Sequence, residues 1–295
     1  MIVRILTRAF VGGVYSLVRG ARVRLDHKAK YSFCCAAVFS ALLAISDVAI
    51  ADPQALWRIT HDECVPEFRS GTLTTPCIAV DLSKGEDDGV VILKDTVGVA
   101  QLLAIPTRRI AGIEDPVLLG KDIPNYFAAA WAAKKNAFKI LGHELPREMI
   151  AIAINSQVSR TQDQLHLHID CVDANVARAL SDYKPVIDFN WQMMSVALKG
   201  RRYWIRRLDS DDLSDFNPFR LLADGVPGAA GNMGNHSLVV VGSTFSQVRG
   251  FILLADRAES KEGGHGEDLE DHRCEIANDA NIPNRNEPLE ATTIR

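Results

Sequence analysis

Residues 161–173 read TQDQLHLHIDCVD. From Gln164 to Asp170 polar and apolar residues alternate strictly, the period of a β-strand with one polar and one apolar face. Gln164, His166, His168 and Asp170 share one face. Leu165, Leu167, Ile169 and Cys171 share the other and face a core. Two imidazoles on one strand face stand about 7 Å apart. Three uses fit that spacing: a metal pair, nucleophilic or acid–base chemistry, or polar filling of an exposed face. A metal pair needs a third ligand, and His143, His236 and His272 sit at no metal-binding spacing.

Similar short signals flank this strand. Gly89–Lys94 (GVVILK) and Gln101–Pro106 (QLLAIP) read as paired strands, and Glu148–Asn155 as another. Between them, Ile123-Pro124-Asn125 opens a helix that Gly142 stops, with Phe127 and Trp131 as core aromatics. Asp173 caps a second helix over Ala174–Tyr183. Tyr203–Leu208, Ser237–Val241 and Phe251–Ala255 read as further strands, and Leu213–Val226 holds a short helix. Strands in hairpin order mixed with helices predict an α+β fold with a mostly antiparallel sheet.

The ends of the chain differ from its middle. Residues 1–30 carry seven basic groups and one acidic group, an apolar run from Phe33 to Ile45 follows, and Ala49-Ile50-Ala51 then precedes Asp52-Pro53. That order predicts a secretory signal peptide or N-terminal membrane anchor over 1–51. Without residues 1–51 the chain holds 26 basic and 35 acidic groups, net −9, which argues against a nucleic-acid partner. The chain from 259 to 295 is polar and rich in acidic residues and glycine, so a largely disordered tail tethered near Cys274 is expected. Four cysteines lie beyond the leader: Cys64, Cys77, Cys171 and Cys274. An even count in an exported chain predicts two disulfides. Of three connectivities, Cys64–Cys77 with Cys171–Cys274 is favoured, because the first closes a short loop across Pro66, Gly71 and Pro76. Tyr203-Trp204-Ile205, flanked by Arg201, Arg202, Arg206 and Arg207, could meet anionic lipid.

The run Gln164-Leu165-His166-Leu167-His168-Ile169 resembles the histidine-triad signature of nucleotide hydrolases and transferases. Leu102–Ile110 resembles that superfamily's strand ending in a proline and a basic residue. The stretches ILKD, PTRRIAGIEDP, IPNYFAAAW, AINSQVSRTQDQLHLHIDC and EDHRCEI resemble the exported branch that hydrolyses CDP-diacylglycerol. The resemblance covers about residues 58–276. It implies a histidine-triad-like (HIT-like) catalytic domain over 52–258, with the C-terminal half extending the sheet or forming a second similar unit. It implies hydrolysis of CDP-diacylglycerol at the periplasmic face of the bacterial inner membrane, with the membrane surface as partner and no cofactor or metal. His166 takes the nucleophile's position and His168 that of the phosphate-binding histidine. Asn155, Ser156, Ser159, Arg160, Thr161 and Gln162 fall where the phosphates would lie. Gln164 departs from the signature, which has histidine there; the family uses that residue's backbone carbonyl, which any side chain keeps. The alternatives are a broader nucleotide pyrophosphatase, a nucleotidyl transferase, or a non-catalytic nucleotide- or lipid-binding protein.

Overall fold

Residues 52–259 and 263–278 are described in the computed structural model, so the expected leader lies outside the described residues. The strands are β1 (Cys77–Asp81), β2 (Val90–Lys94), β3 (Leu102–Pro106), β4 (Ile150–Ile154), β5 (Leu167–Cys171), β6 (Gln192–Met193), β7 (Trp204–Asp209), β8 (His236–Phe245) and β9 (Val248–Arg257). They form one antiparallel sheet in the order β1-β2-β3-β5-β4-β8-β9-β7-β6. The fold is α+β, and the C-terminal half extends the same sheet. β2, β3 and β4 are apolar almost without interruption because both faces of the sheet are covered.

The helices are α1 (Ala55–Arg58), α2 (Val65–Ser70), α3 (Tyr126–Leu141), α4 (Ala174–Tyr183) and α5 (Pro218–Gly225). The Asn125 side chain accepts from the Ala128 N–H, and Gly142 ends α3 at φ 81°, a left-handed conformation that suits glycine. The Asp173 side chain caps α4 through the Asn175 and Val176 N–H groups. Phe127 and Trp131 of α3 and Phe219 and Leu222 of α5 pack on one sheet face, against Leu102, Ile152, Leu167, Ile169 and Val240. Truncating a fully buried phenylalanine such as Phe127 to alanine costs about 3–5 kcal/mol.

The opposite face carries two separate apolar clusters. One joins Leu56, Cys64 and Val65 to Val91, Leu93, Leu103 and Ile105. The other joins Val176 and Leu180 of α4 to Ala151, Ala153, Ile205, Val239 and Leu254. β5 lies between β3 and β4, so His168 and Asp170 fall in the polar seam between the clusters.

Two expectations are revised, and one open alternative is closed. β5 begins at Leu167 rather than Gln164. Its pairing with β3 runs only from Leu102↔Ile169 to Ala104↔Leu167, and β3 ends at Pro106, which has no N–H to give a ladder. Of the three uses left open for the histidine face, polar filling of an exposed strand is removed: His166 and His168 are only 8% and 6% accessible. The acidic C-terminal segment is ordered through 263–278, with 3₁₀ turns at Gly266–Leu269 and Glu275–Asn278. Both disulfides form as expected, Cys64–Cys77 and Cys171–Cys274, with Cα separations of 5.5 and 5.1 Å. The basic cluster around Tyr203 is largely tied into the sheet. Tyr203 is fully buried, Arg201 pairs with Asp256, and Arg207 pairs with Asp209.

Candidate active site

Residues 263–278 form a strap over the polar seam. The Asp271 N–H donates to the Cys171 carbonyl at 2.8 Å, the Asp173 N–H to Leu269 at 3.0 Å, and the Val99 N–H to His272 at 2.8 Å. The Cys171–Cys274 bond pins the strap to β5. Its side chains then complete a cluster that β5 begins.

His166 is held by its own chain. Its Nδ1 lies 2.6 Å from the backbone carbonyl of Gln164. A carbonyl only accepts, so Nδ1 carries the proton and Nε2 keeps its lone pair. Among the described residues no hydrogen bond engages Nε2. Burial, and secondly the neighbouring His168, hold the His166 pKa down to about 4. The two rings lie 5.0 Å apart between centroids at 62°.

The Gln164 side chain is fully buried. Its amide nitrogen donates to the Pro106 and Arg108 carbonyls at 2.9 and 3.0 Å, and its oxygen accepts from the Ile110 N–H at 3.4 Å. It thereby ties 164–166 to the chain after β3, where the proline has ended the ladder.

His168 has two partners with opposite demands on Nδ1. The Gln101 amide nitrogen stands at 3.0 Å and asks for a lone pair, while the Glu267 Oε2 stands at 3.2 Å and asks for a proton. Nε2 is buried and has no hydrogen-bond partner among the described residues. Burial lowers this ring too, to about 4. Below it, the Asp170 carboxylate faces the His272 Nδ1 at 2.9 Å and accepts from the Cys171 N–H. Burial raises Asp170 to about 6. Glu270 is buried with neither carboxyl oxygen partnered among the described residues, and desolvation, with Asp170 nearby, raises it well above the carboxylate range. The described residues hold no group of three His, Cys, Asp or Glu that could bind a metal ion.

The loop after β4 supplies the other expected residues. Asn155, Arg160, Gln164 and His166 line one small pocket together with Gly112. Asn155 grips the strap: its Nδ2 donates to the Glu267 Oε1 at 3.0 Å, and its Oδ1 accepts from the Glu267 N–H at 3.3 Å. The Ser156 and Ser159 hydroxyls bond each other at 2.7 Å, and Ser159 also donates to the Gly264 carbonyl. Arg160 is nearly buried between Glu114 at 2.6 Å and Asp163 at 3.1 Å, so its charge is already matched. Thr161 is exposed. Gln162 lies away from the histidines and bonds the Leu56 N–H and the Asp52 carbonyl, docking the start of α1.

Sequence reasoning missed Gln101, Glu267, Glu270 and the role of His272. The one signal for the last three was the Cys171–Cys274 pairing, which brings EDLEDHRC beside β5.

The CDP-diacylglycerol pyrophosphatase family profile matches residues 51–278. A CDP-diacylglycerol pyrophosphatase from Yersinia pestis is 37% identical over 234 residues, spanning 79% of this chain and 88% of that protein.

Proposed function

The chain belongs to the CDP-diacylglycerol pyrophosphatase family, and on that premise we propose that it hydrolyses CDP-diacylglycerol to CMP and phosphatidate through a nucleotidyl-histidine intermediate. The observation that carries this reading is the Gln164 carbonyl on His166 Nδ1, which leaves an unprotonated Nε2. A neutral imidazole is a competent nucleophile toward phosphorus near neutral pH. Nε2 attacks the cytidylyl phosphorus, forming a P–N bond. The P–O bond to the phosphatidyl group breaks, and its electron pair leaves on phosphatidate. Water then attacks the same phosphorus, and the P–N electron pair returns to Nε2.

Catalysis of such a transfer rests on alignment and charge matching. His168 Nε2, buried and unpartnered, can donate to a phosphoryl oxygen when it carries the proton. Arg160 lines the same small pocket as His166, and with its charge matched by Glu114 and Asp163 it orders the pocket wall. The sheet with its two histidines supports a histidine-triad-like fold. The leader would hold the catalytic domain, which with the strap runs to 278 rather than 258, at the periplasmic membrane surface, where the lipid lies; among the described residues no helix is long and apolar enough to cross a membrane.

The test is CMP release from CDP-diacylglycerol in mixed micelles by the full chain, beside His166→Ala and His168→Ala. The reading expects wild-type turnover, none measurable in His166→Ala, and a partial loss in His168→Ala. An oxidised, folded wild type without activity would overturn it in favour of a binding protein.

A further inference from the structure

We propose that Glu267 is a positioning residue that turns His168 into the general base for the second step, attack of water on the nucleotidyl-His166 intermediate. The inference rests on the covalent reading above and deepens it.

Three contacts fix Glu267, two of them at its carboxylate. Asn155 holds it at two points, through its Oε1 and its backbone N–H, and Oε2 faces His168 Nδ1 at 3.2 Å. The strap that carries Glu267 is bound to β5 by the Cys171–Cys274 disulfide. When the carboxylate accepts a hydrogen bond from Nδ1–H, the lone pair of His168 lies on Nε2. That atom is buried, unpartnered and on the ring beside His166. A carboxylate in this place also stabilises the imidazolium that forms on proton uptake, as in carboxylate–histidine pairs of hydrolases.

Gln101 sets the opposite state. Its amide donates to the same Nδ1 and sends the proton to Nε2. His168 therefore has two tautomers: the first donates from Nε2 to the phosphoryl group and gives that proton to the departing phosphatidate oxygen, and the second, reprotonated from solvent at Nδ1 against Glu267, accepts from water in the second step. In the second step the water O–H bond breaks and its proton passes to His168 Nε2. The new O–P bond forms, the P–N bond breaks, and its electron pair stays on His166. Release of the proton to solvent resets His168. Groups of either sign surround the ring: His166 beside it, Asp95 on the β2–β3 turn, and Glu267 and His272 on the strap.

The experiment is rapid-quench analysis of full-length wild type, Glu267→Gln, Asn155→Ala and His166→Ala with CDP-diacylglycerol in mixed micelles, following phosphatidate and protein-bound CMP separately. Glutamine keeps the shape and one bond to Asn155 but loses the charge. In Glu267→Gln, kcat should fall about 100-fold, within the range of a lost general base. The first-step rate should stay near wild type. Phosphatidate should appear in a burst equal to the enzyme present, with bound CMP accumulating. Asn155→Ala should show the same signature more weakly. Equal slowing of both steps, or loss of turnover tracking a drop in melting temperature with no bound CMP, would overturn the inference and leave Glu267 a structural clamp. Absence of bound CMP in every protein, with turnover retained in His166→Ala, would instead overturn the covalent reading itself.

Discussion

Gln164→Leu separates the side chain from the backbone at the position where the histidine-triad signature is broken. The wild-type carboxamide is fully buried and donates to the Pro106 and Arg108 carbonyls at 2.9 and 3.0 Å. Leucine fills similar space and donates nothing. Two lost hydrogen bonds at about 1 kcal/mol each, the longer third one from the Ile110 N–H at 3.4 Å, and the desolvation of the backbone groups left without a partner come to roughly 2–4 kcal/mol. For a domain of this size that corresponds to a fall in melting temperature of about 5–15 °C. The Gln164 carbonyl that orients His166 belongs to the backbone and stays. Turnover measured well below the melting point should therefore fall at most about tenfold, far less than for a lost nucleophile. Calorimetry of the oxidised protein and CMP release at 20 °C on one preparation decide it. An unchanged melting temperature would refute the anchoring role. Full loss of turnover at unchanged stability would refute the claim that only the carbonyl matters for chemistry.

The pH profile and the disulfide give further expectations. His166 titrates at about 4, so kcat/KM should stay flat on the acid side down to about pH 5 and fall with a midpoint near 4, where an ordinary imidazole would give about 6.5. The linked stability has a fixed sign: both histidines bind protons more weakly when folded. Their contribution is fully present above the unfolded value near 6.5 and is lost as pH falls toward 4, which melting curves of His166→Ala against wild type will reveal as a weaker pH dependence. Removing the strap's covalent tie with Cys171→Ala/Cys274→Ala opens a 103-residue loop, costing up to about 5 kcal/mol in the chain-entropy view, and kcat should fall with it as Glu267 is released. Glu114→Gln leaves Arg160 short of one of its two carboxylates, and KM for CDP-diacylglycerol should change more than kcat, as steady-state kinetics will report.

Local signals carried much of this fold into the sequence. Asn125 and Gly142 bounded α3, Asp173 opened α4, and the alternation around His166 placed both histidines on the face opposite Leu167 and Ile169. The centre of the site was legible for the same reason: two histidines and the carbonyl that orients one of them lie within five residues. What stayed hidden depends on long-range closure. β1 is bulged between Cys77 and Ala79 and only half-buried, and β6 has two residues, so neither declares itself. The strap carries no apolar period. Its order comes from a disulfide spanning 103 residues, from Asn155 on Glu267, and from Asp170 on His272. Composition alone reads such a segment as solvated, because hydrogen bonds to distant partners leave no local pattern. The start of β5 was misjudged because Gln164 keeps the strand alternation while its side chain replaces the ladder.

The most direct test of the central claim is to trap the intermediate. Full-length enzyme would be mixed with CDP-diacylglycerol labelled in the cytidine, quenched within milliseconds at alkaline pH, where a phosphoramidate survives, and digested for peptide mass analysis. The account predicts CMP covalently attached to the peptide that carries His166, and none in His166→Ala. Label on another residue, or turnover in His166→Ala at the wild-type rate, would contradict it.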